Sequence, residues 1–441
     1  MPARRLFLAS FLSLFVELAL IRWIPGTLHI VGFFANLVLI ASFLGLGIGL
    51  ADPPDNTDTP RRALVRLGVL MAGLAVVEIV GIKVSLPKAG DYAINEVQSG
   101  FPISIPLPIV LLIVYAGAVW ATIPFGQLVA EQFDRLERIP AYSINIAGSM
   151  AGVAAFSLVS WLSLPPLVWF GAIALVCVAL HPSRANAVPI LLIAAVIGGL
   201  QLHDSRALGS TIAWSPYYKV VTHSVVPHGS LDQGFITDVN GQFLLSGLDL
   251  RPNATLPPTV SPQVRADVQS LKSYYDFPFA IAHSDRVLIL GAGAGNDVAA
   301  ALRHGVSSVV AVEIDPLVQR LGANHHPEHP YSSPKVRVVI NDGRAFLDHD
   351  TERFDLIEYA TLDAHGLLSA ATSVRLDSFI YTRQSLEQAK KHLARDGLLV
   401  LSFGPFREDV QYRQYEMVKS VFGQDPLYFE HTNGHRTIVA G

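Results

Sequence analysis

The sequence predicts three parts: a multi-span α-helical membrane domain over 1–202, a small β-hairpin module over 203–265, and an α/β doubly wound nucleoside-binding domain over 266–441. Three observations predict this. Nearly all the long apolar runs lie before residue 203. Hydrophobic residues make up 51% of the chain and charged residues only 15%, where a soluble domain carries about 25% charged. Finally, the branched apolar run Arg286 to Leu290 passes straight into Gly291-Ala292-Gly293-Ala294-Gly295-Asn296-Asp297. That is how a buried parallel strand enters a tight turn.

The N-terminal part offers seven candidate spans: Leu6–Ile24, Leu28–Leu50, Leu64–Leu86, Ile103–Phe125, Ala141–Leu162, Pro166–Leu180 and Val188–Leu200. Most reach the ~20 residues a crossing needs, and the last two are short. The basic start, Met1 to Arg5, precedes an apolar stretch without a small-residue cleavage site, so it reads as a retained membrane segment. Arg4, Arg5, Arg61, Arg62, Arg66, Arg135 and Arg138 fall on one side if the N-terminus is cytoplasmic. Seven crossings would then leave the remainder outside the cell, whereas a nucleoside-dependent domain belongs in the cytoplasm. The count of seven is therefore expected to be off by one.

Glu17, Arg22, Asn36, Glu78 and Asn145 are among the few strongly polar groups within these spans. Ionisable groups there are costly, and a Glu17–Arg22 pair or a snorkelling Arg22 is the simplest expectation. Gly148 and Gly152 read as a helix-packing face. The single cysteine, Cys177, excludes an internal disulfide and a cysteine metal cluster, and a net charge of −4 gives no reason to expect nucleic acid.

From His203 the character changes. Tyr217 to Val221 and Gly234 to Val239 read as strands, with Asn240-Gly241 a two-residue hairpin turn into Gln242 to Ser246. Ala266 to Ala282, carrying Tyr274, Tyr275 and Asp276, reads as a helix. Strands are expected near 286–291, 308–314, 336–341, 354–360 and 398–403, with helices between, and a terminal hairpin from Leu427 to Ala440 through Asn433-Gly434. Alternating strands and helices argue a parallel, Rossmann-like sheet with its ligand at the carboxyl ends of the strands.

Those strand ends supply the candidate site. Gly291, Gly293 and Gly295 let the backbone approach a ligand where a Cβ would clash. The helix opening near Asp297 offers unpaired N–H groups. Glu313 ends the second strand 18 residues after Gly295, where a carboxylate can accept from the two hydroxyls of a ribose. Asp342, followed by Gly343, is placed to accept from an adenine amino group, or else to cap the next helix. Glu358, Tyr359, Thr361 and Asp363 end the fourth strand, and Glu358, Tyr359 and Asp363 are candidate catalytic groups; His365 reads as a loop histidine, and Ser402 ends the fifth.

Over about 210–441 the chain resembles the spermidine synthase (polyamine aminopropyltransferase) family. The resemblance is carried by the β-hairpin module, Gly291 to Gly295, Val312-Glu313-Ile314-Asp315, Asn341-Asp342-Gly343, the Asp363 region and Tyr381-Thr382. Leu14-Phe15-Val16-Glu17 and Tyr142-Ser143-Ile144-Asn145-Ile146-Ala147-Gly148-Ser149 look like the bacterial membrane-fused branch. The resemblance implies a methyltransferase-type Rossmann-like fold and an adenosyl sulfonium substrate, S-adenosylmethionine or its decarboxylated form, with no further cofactor and no metal. Glu313 would bind the ribose and Asp342 the adenine. A polyamine, the lipid bilayer and a second copy of the chain are the other partners it suggests. The expected location is the bacterial inner membrane, soluble domain on the cytoplasmic side.

Two departures matter. The aspartate that in the family holds the donor's amine, within the glycine turn, is Ala294 here, and the aspartate ending the fourth strand is Ala360. Loss of both carboxylates makes room for the carboxylate of intact S-adenosylmethionine. The sequence therefore favours cleavage of the tail's Cγ–S bond by that carboxylate, which would release 5′-methylthioadenosine and homoserine lactone. Asp297, Glu358, Asp363 or Tyr359 would then fix the tail's ammonium. True aminopropyl transfer with Glu358 or Asp363 as substitute base is the alternative. A methyltransferase and a non-enzymatic membrane sensor or transporter are further readings.

Overall fold

The computed structural model describes residues 2–52, 58–85, 104–133, 135–208, 210–226, 229–254, 262–282, 284–362, 380–404 and 408–441. They form two compact units. One runs up to Val221 and includes Val239–Gln242; the other holds Thr222–Asp238 and most of the chain after Phe243.

Seven helices fill the first unit: α1 Pro2–Thr27, α2 Ala35–Ala51, α3 Thr59–Val80, α4 Leu107–Phe133, α5 Arg138–Trp161, α6 Pro166–Leu180 and α7 Ala187–Leu208. Every expected span is thus helical over most of its length, but the boundaries move. Among the described residues, five helices are long and apolar enough to cross a membrane; α2 and α6 are shorter. The second expected span loses its start because His29–Phe34 forms a 3-10 turn. The third ends at Gly81, whose left-handed conformation (φ 67°) stops α3 well before Leu86. A two-stranded parallel pair, β1 Lys83–Ser85 and β2 Ser104–Pro106, has no counterpart among the expected elements.

Close backbone approach explains the small residues. A Cβ on Gly148 would lie 2.5 Å from the Phe7 carbonyl oxygen, and one on Gly152 would lie 2.4 Å from that of Phe11. The expected packing face on α5 is therefore the seam with α1. Gly126 of α4 is pressed in the same way against the Leu46 carbonyl of α2. Arg22 donates to the Ser160 hydroxyl and sets its guanidinium 4.8 Å from the Trp169 ring centroid. Away from these seams the helices show apolar side chains outward: Leu112, Leu175, Val188 and Leu191 are all more than 60% exposed.

A four-stranded sheet comes next, in the order β3-β4-β5-β6: β3 Thr211–Trp214, β4 Lys219–Ser224, β5 Phe235–Val239 and β6 Gln242–Gly247. The expected hairpin turn is present. Asn240 and Gly241 both take positive φ, 48° and 81°, as a two-residue turn between twisted strands requires.

The second unit is built on a seven-stranded sheet with the order β12-β13-β11-β10-β7-β8-β9. Helix α8 (Pro262–Ile281) leads into β7 Arg286–Leu290, α9 Asn296–Arg303, β8 Ser308–Glu313, α10 Pro316–His325, β9 Val336–Ile340, α11 Gly343–His349 and β10 Phe354–Tyr359. After the undescribed 363–379 come α12 Arg383–Lys391, β11 Leu393–Phe403, α13 Glu408–Phe422, β12 Leu427–Glu430 and β13 Arg436–Ala440. Strands β7 to β11 pair in parallel, but β13 runs antiparallel to both β11 and β12. The sheet is mixed, not purely parallel, because the terminal hairpin adds to its edge. Strand β11 also begins five residues earlier than expected, where Leu393 pairs with Phe354.

Two apolar layers cover the sheet. One holds Leu288, Leu290, Tyr359, Phe354, Leu401 and Ile438. The other holds Ile289, Val298, Ala300, Ala311, Leu356 and Ala360 against α8 and α9. From Leu356 to Ala360, past a register shift at the start of β10, successive residues therefore face opposite layers.

Candidate active site at the glycine turn

Leu290 ends β7, and the chain turns through Gly291 (φ 78°), Gly293 (φ 53°) and Gly295 (φ 104°). These are left-handed conformations that favour glycine. Space adds to the requirement at Gly291, where a Cβ would stand 1.9 Å from a Leu362 methyl carbon. The Gly291 and Ala292 N–H groups both donate to the Val312 carbonyl, at 2.8 and 3.0 Å. Gly295 precedes the first residue of α9.

Glu313 closes the turn. Its Oε2 accepts the Gly293 N–H and its Oε1 the Asp315 N–H, both at 2.8 Å. Only 7% of Glu313 is exposed, and burial pushes its carboxyl up to about 7 against the pull of those backbone donors. Asp315 uses its own Oδ1 to cap α10 at Leu317. The Asp342 Oδ1 caps α11 by accepting the Ala345 N–H at 2.9 Å, while Asn341 accepts the Asp342 N–H. The helix-capping reading of Asp342 is thus realised, and Gly343 is the first residue of α11.

Asp297 is the second residue of α9, half-buried, and it shares a hydrogen bond with Glu358. Glu358 is 1% exposed and lies on the β10 face that looks towards α9. Its Oε2 is buried with no hydrogen-bond partner among the described residues. Burial raises both carboxyls, Asp297 to about 7 and Glu358 well above its ordinary range; the neighbouring Asp297 adds to the rise of Glu358, whereas the hydrogen bond from Glu358 favours ionised Asp297. Tyr359, by contrast, falls in the opposite layer. It is fully buried, with its hydroxyl on Ser385 at 2.9 Å. The expectation that it joins Glu358 at the site is corrected: a period of two separates neighbours on a strand. Asp363 and His365 lie outside the described residues, and Ser402 is buried in β11.

Several contributors carried no sequence signal for the site. Tyr331 donates to the Gly293 carbonyl at 2.7 Å and packs where a Gly295 Cβ would be. Tyr274 of α8 bonds the Thr361 hydroxyl, and Tyr275 bonds Asn296. Asn296 accepts from the Leu248 N–H at 3.2 Å, donates to the Ser246 carbonyl at 2.7 Å and meets His326 Nε2 at 2.9 Å. The Asn296 oxygen can only accept, so Nε2 carries the proton and Nδ1 accepts the Glu328 N–H. His326 is therefore neutral, and burial pushes it down to about 3. Arg303 ties this corner to α8 through Glu328 and Asp276. Ala294 and Ala360, at the positions of the family's two aspartates, are 3% and 5% exposed.

Residues 277–421 match the spermine/spermidine synthase domain. The chain is 29% identical over 124 residues to a polyamine aminopropyltransferase of Korarchaeum cryptofilum, covering 27% of this chain and 36% of that one. It is 37% identical over 92 residues to that of Hamiltonella defensa, covering 20% and 32%. The chain thus spans about a third of the length of these curated relatives. A solved spermidine synthase from Thermotoga maritima superposes with a TM-score of 0.38 at 16% identity, covering 52% of this chain and 72% of that one. Residues 277–421 thus carry the resemblance to the spermidine synthase family.

Proposed function

We propose that this chain, with a nucleoside domain of the spermidine synthase family, is a membrane-embedded aminopropyltransferase. Its donor would be decarboxylated S-adenosylmethionine, its acceptor an amine of the polyamine class, and its by-product 5′-methylthioadenosine. One observation carries the reading: Glu313 holds the Gly293 N–H in a turn of three left-handed glycines, within the residues that match the spermine/spermidine synthase domain. Glu313 would accept from the ribose hydroxyls and Asp342 from the adenine amino group through its second oxygen. The turn Gly291 to Gly295 would lie beside the sulfonium tail.

In this reaction an amine nitrogen attacks the methylene next to sulfur, the C–S bond breaks and its electron pair stays on sulfur. The attacking amine must be neutral, although a free primary amine titrates near about 10.4. A positioned base therefore contributes about 10²–10⁴ in rate. The two curated relatives described above are named as aminopropyltransferases, which favours transfer to an amine over the lactone-forming self-cleavage that Ala294 and Ala360 suggest. The outward apolar side chains of α4, α6 and α7 support burial of the N-terminal unit in a bilayer. A cytoplasmic nucleoside domain would accord with where its substrates are made.

The test is mass spectrometry of detergent-purified protein incubated with decarboxylated S-adenosylmethionine and putrescine, and separately with S-adenosylmethionine alone. Methylthioadenosine together with the aminopropylated amine is the expected result. Methylthioadenosine from S-adenosylmethionine alone would restore self-cleavage. S-adenosylhomocysteine would point to methyl transfer, and no product at all would overturn the enzymatic reading.

A further inference from the structure

We propose that Asp297 and Glu358 act as one acid unit holding a single proton between them, and that this unit binds the acceptor amine and takes up its proton. The inference rests on the aminopropyltransferase reading and deepens it, because it supplies the base that Ala294 and Ala360 do not.

Geometry carries it. Asp297 comes directly after the glycine turn and is half-buried, so it can reach a ligand lying there. Glu358 stands behind it in a layer otherwise made of Ile289, Val298, Ala300, Leu356 and Ala360. A carboxyl in such a layer is costly unless each polar atom finds a partner. Asp297 shares a hydrogen bond with Glu358. Oε2 is still without a partner among the described residues, at 1% exposure of the residue. The missing partner is a hydrogen-bond donor, and a proton shared with the Asp297 carboxyl provides it, which leaves half-buried Asp297 as the member that an amine can reach.

The charge count agrees. Two carboxyls this close do not both ionise readily, so the pair carries one negative charge and one vacancy for a proton. That capacity matches the deprotonation of one amine. The acceptor ammonium gives its proton to the pair and becomes a neutral amine. The nitrogen lone pair forms the new N–C bond, and the C–S electron pair leaves with neutral methylthioadenosine. The product's secondary ammonium keeps its proton, and the pair releases its own to solvent. Asp297 touches the amine and is the catalytic residue. Glu358 acts through Asp297 and is a positioning residue. The other titratable groups facing the pair are Tyr274 and Tyr275 on α8, Arg303 on α9 and Tyr331.

The experiment measures methylthioadenosine release by full-length protein in detergent, with decarboxylated S-adenosylmethionine and putrescine, over roughly pH 6 to 10. It compares wild type with Asp297→Asn and Glu358→Gln, and titrates methylthioadenosine into each by calorimetry. Asp297→Asn is expected to lower kcat by about 10²–10⁴ while methylthioadenosine affinity stays near that of wild type. Glu358→Gln should move the acid limb of kcat/KM to higher pH and reduce the maximum, because Asp297 then loses the carboxyl hydrogen bond that favours its ionised form. Variants that keep the wild-type rate and pH profile would overturn the proposal while leaving the aminopropyltransferase reading intact. Variants that lose methylthioadenosine binding along with activity would also overturn it, since the pair would then only hold the turn. A wild type that releases no methylthioadenosine sinks the underlying activity, and the proposal with it.

Discussion

The Oε2 of Glu313 accepts the Gly293 N–H at 2.8 Å, so the end of β8 holds the middle of the glycine turn. One carboxylate both shapes the turn and faces the place proposed for a ribose. Glu313→Ala is expected to weaken methylthioadenosine binding about 10- to 100-fold, as two charge-assisted hydrogen bonds would predict. Calorimetric titration reads this directly, and an unchanged Kd would remove Glu313 from the site.

Burial gives Asp297 a pH signature. Its carboxyl is raised from an ordinary 3.8 to about 7, so the folded state binds a proton more tightly than the unfolded chain. The associated stability is fully present below about pH 4 and is lost as pH rises through about 7. Asp297→Asn should therefore raise Tm relative to wild type more at about pH 8 than at about pH 5. Equal shifts at both pH values would contradict the buried pair.

Asn296 satisfies three buried partners: Leu248, Ser246 and His326. Asn296→Ala leaves all three without it. The expected loss of stability is about 2–4 kcal/mol, taken from the cost of orphaned buried polar groups. Urea unfolding followed by near-ultraviolet circular dichroism checks it.

Gly152→Leu should separate α1 from α5. Even a Cβ there would meet the Phe11 carbonyl oxygen at 2.4 Å, and backbone cannot rotate away as a side chain can. The expected outcome is loss of monodisperse protein in size-exclusion chromatography. Leu at the exposed Gly171, where nothing lies within 4 Å, should leave the elution unchanged.

What the sequence made legible was local. Alternate glycines, a carboxylate at the next strand end and an Asn-Gly turn each act within a few residues, and each appears where expected. Apolar runs located the helices, but not where they stop, because Gly81 and the 3-10 turn at His29–Phe34 cut them short. Strand β10 defeated the reading for a different reason. It is buried on both faces, so its apolar residues do not alternate with polar ones, and nothing in the run assigns Glu358 and Tyr359 to opposite layers. The Asn296–His326–Leu248 junction joins residues 30 and 48 positions apart. No short-range pattern announces such a contact.

The raised Glu313 and Asp297 carboxyls have a consequence for ligand uptake. A sulfonium or ammonium ion settling beside them favours their ionised forms, so each cation that enters drives protons out into the buffer. Donor affinity would then climb as pH rises from about 6 to 8, and the heat of binding would depend on the ionisation enthalpy of the buffer used. The site would work as an ion exchanger, trading protons stored in its own carboxyls for the positive charge of its substrates.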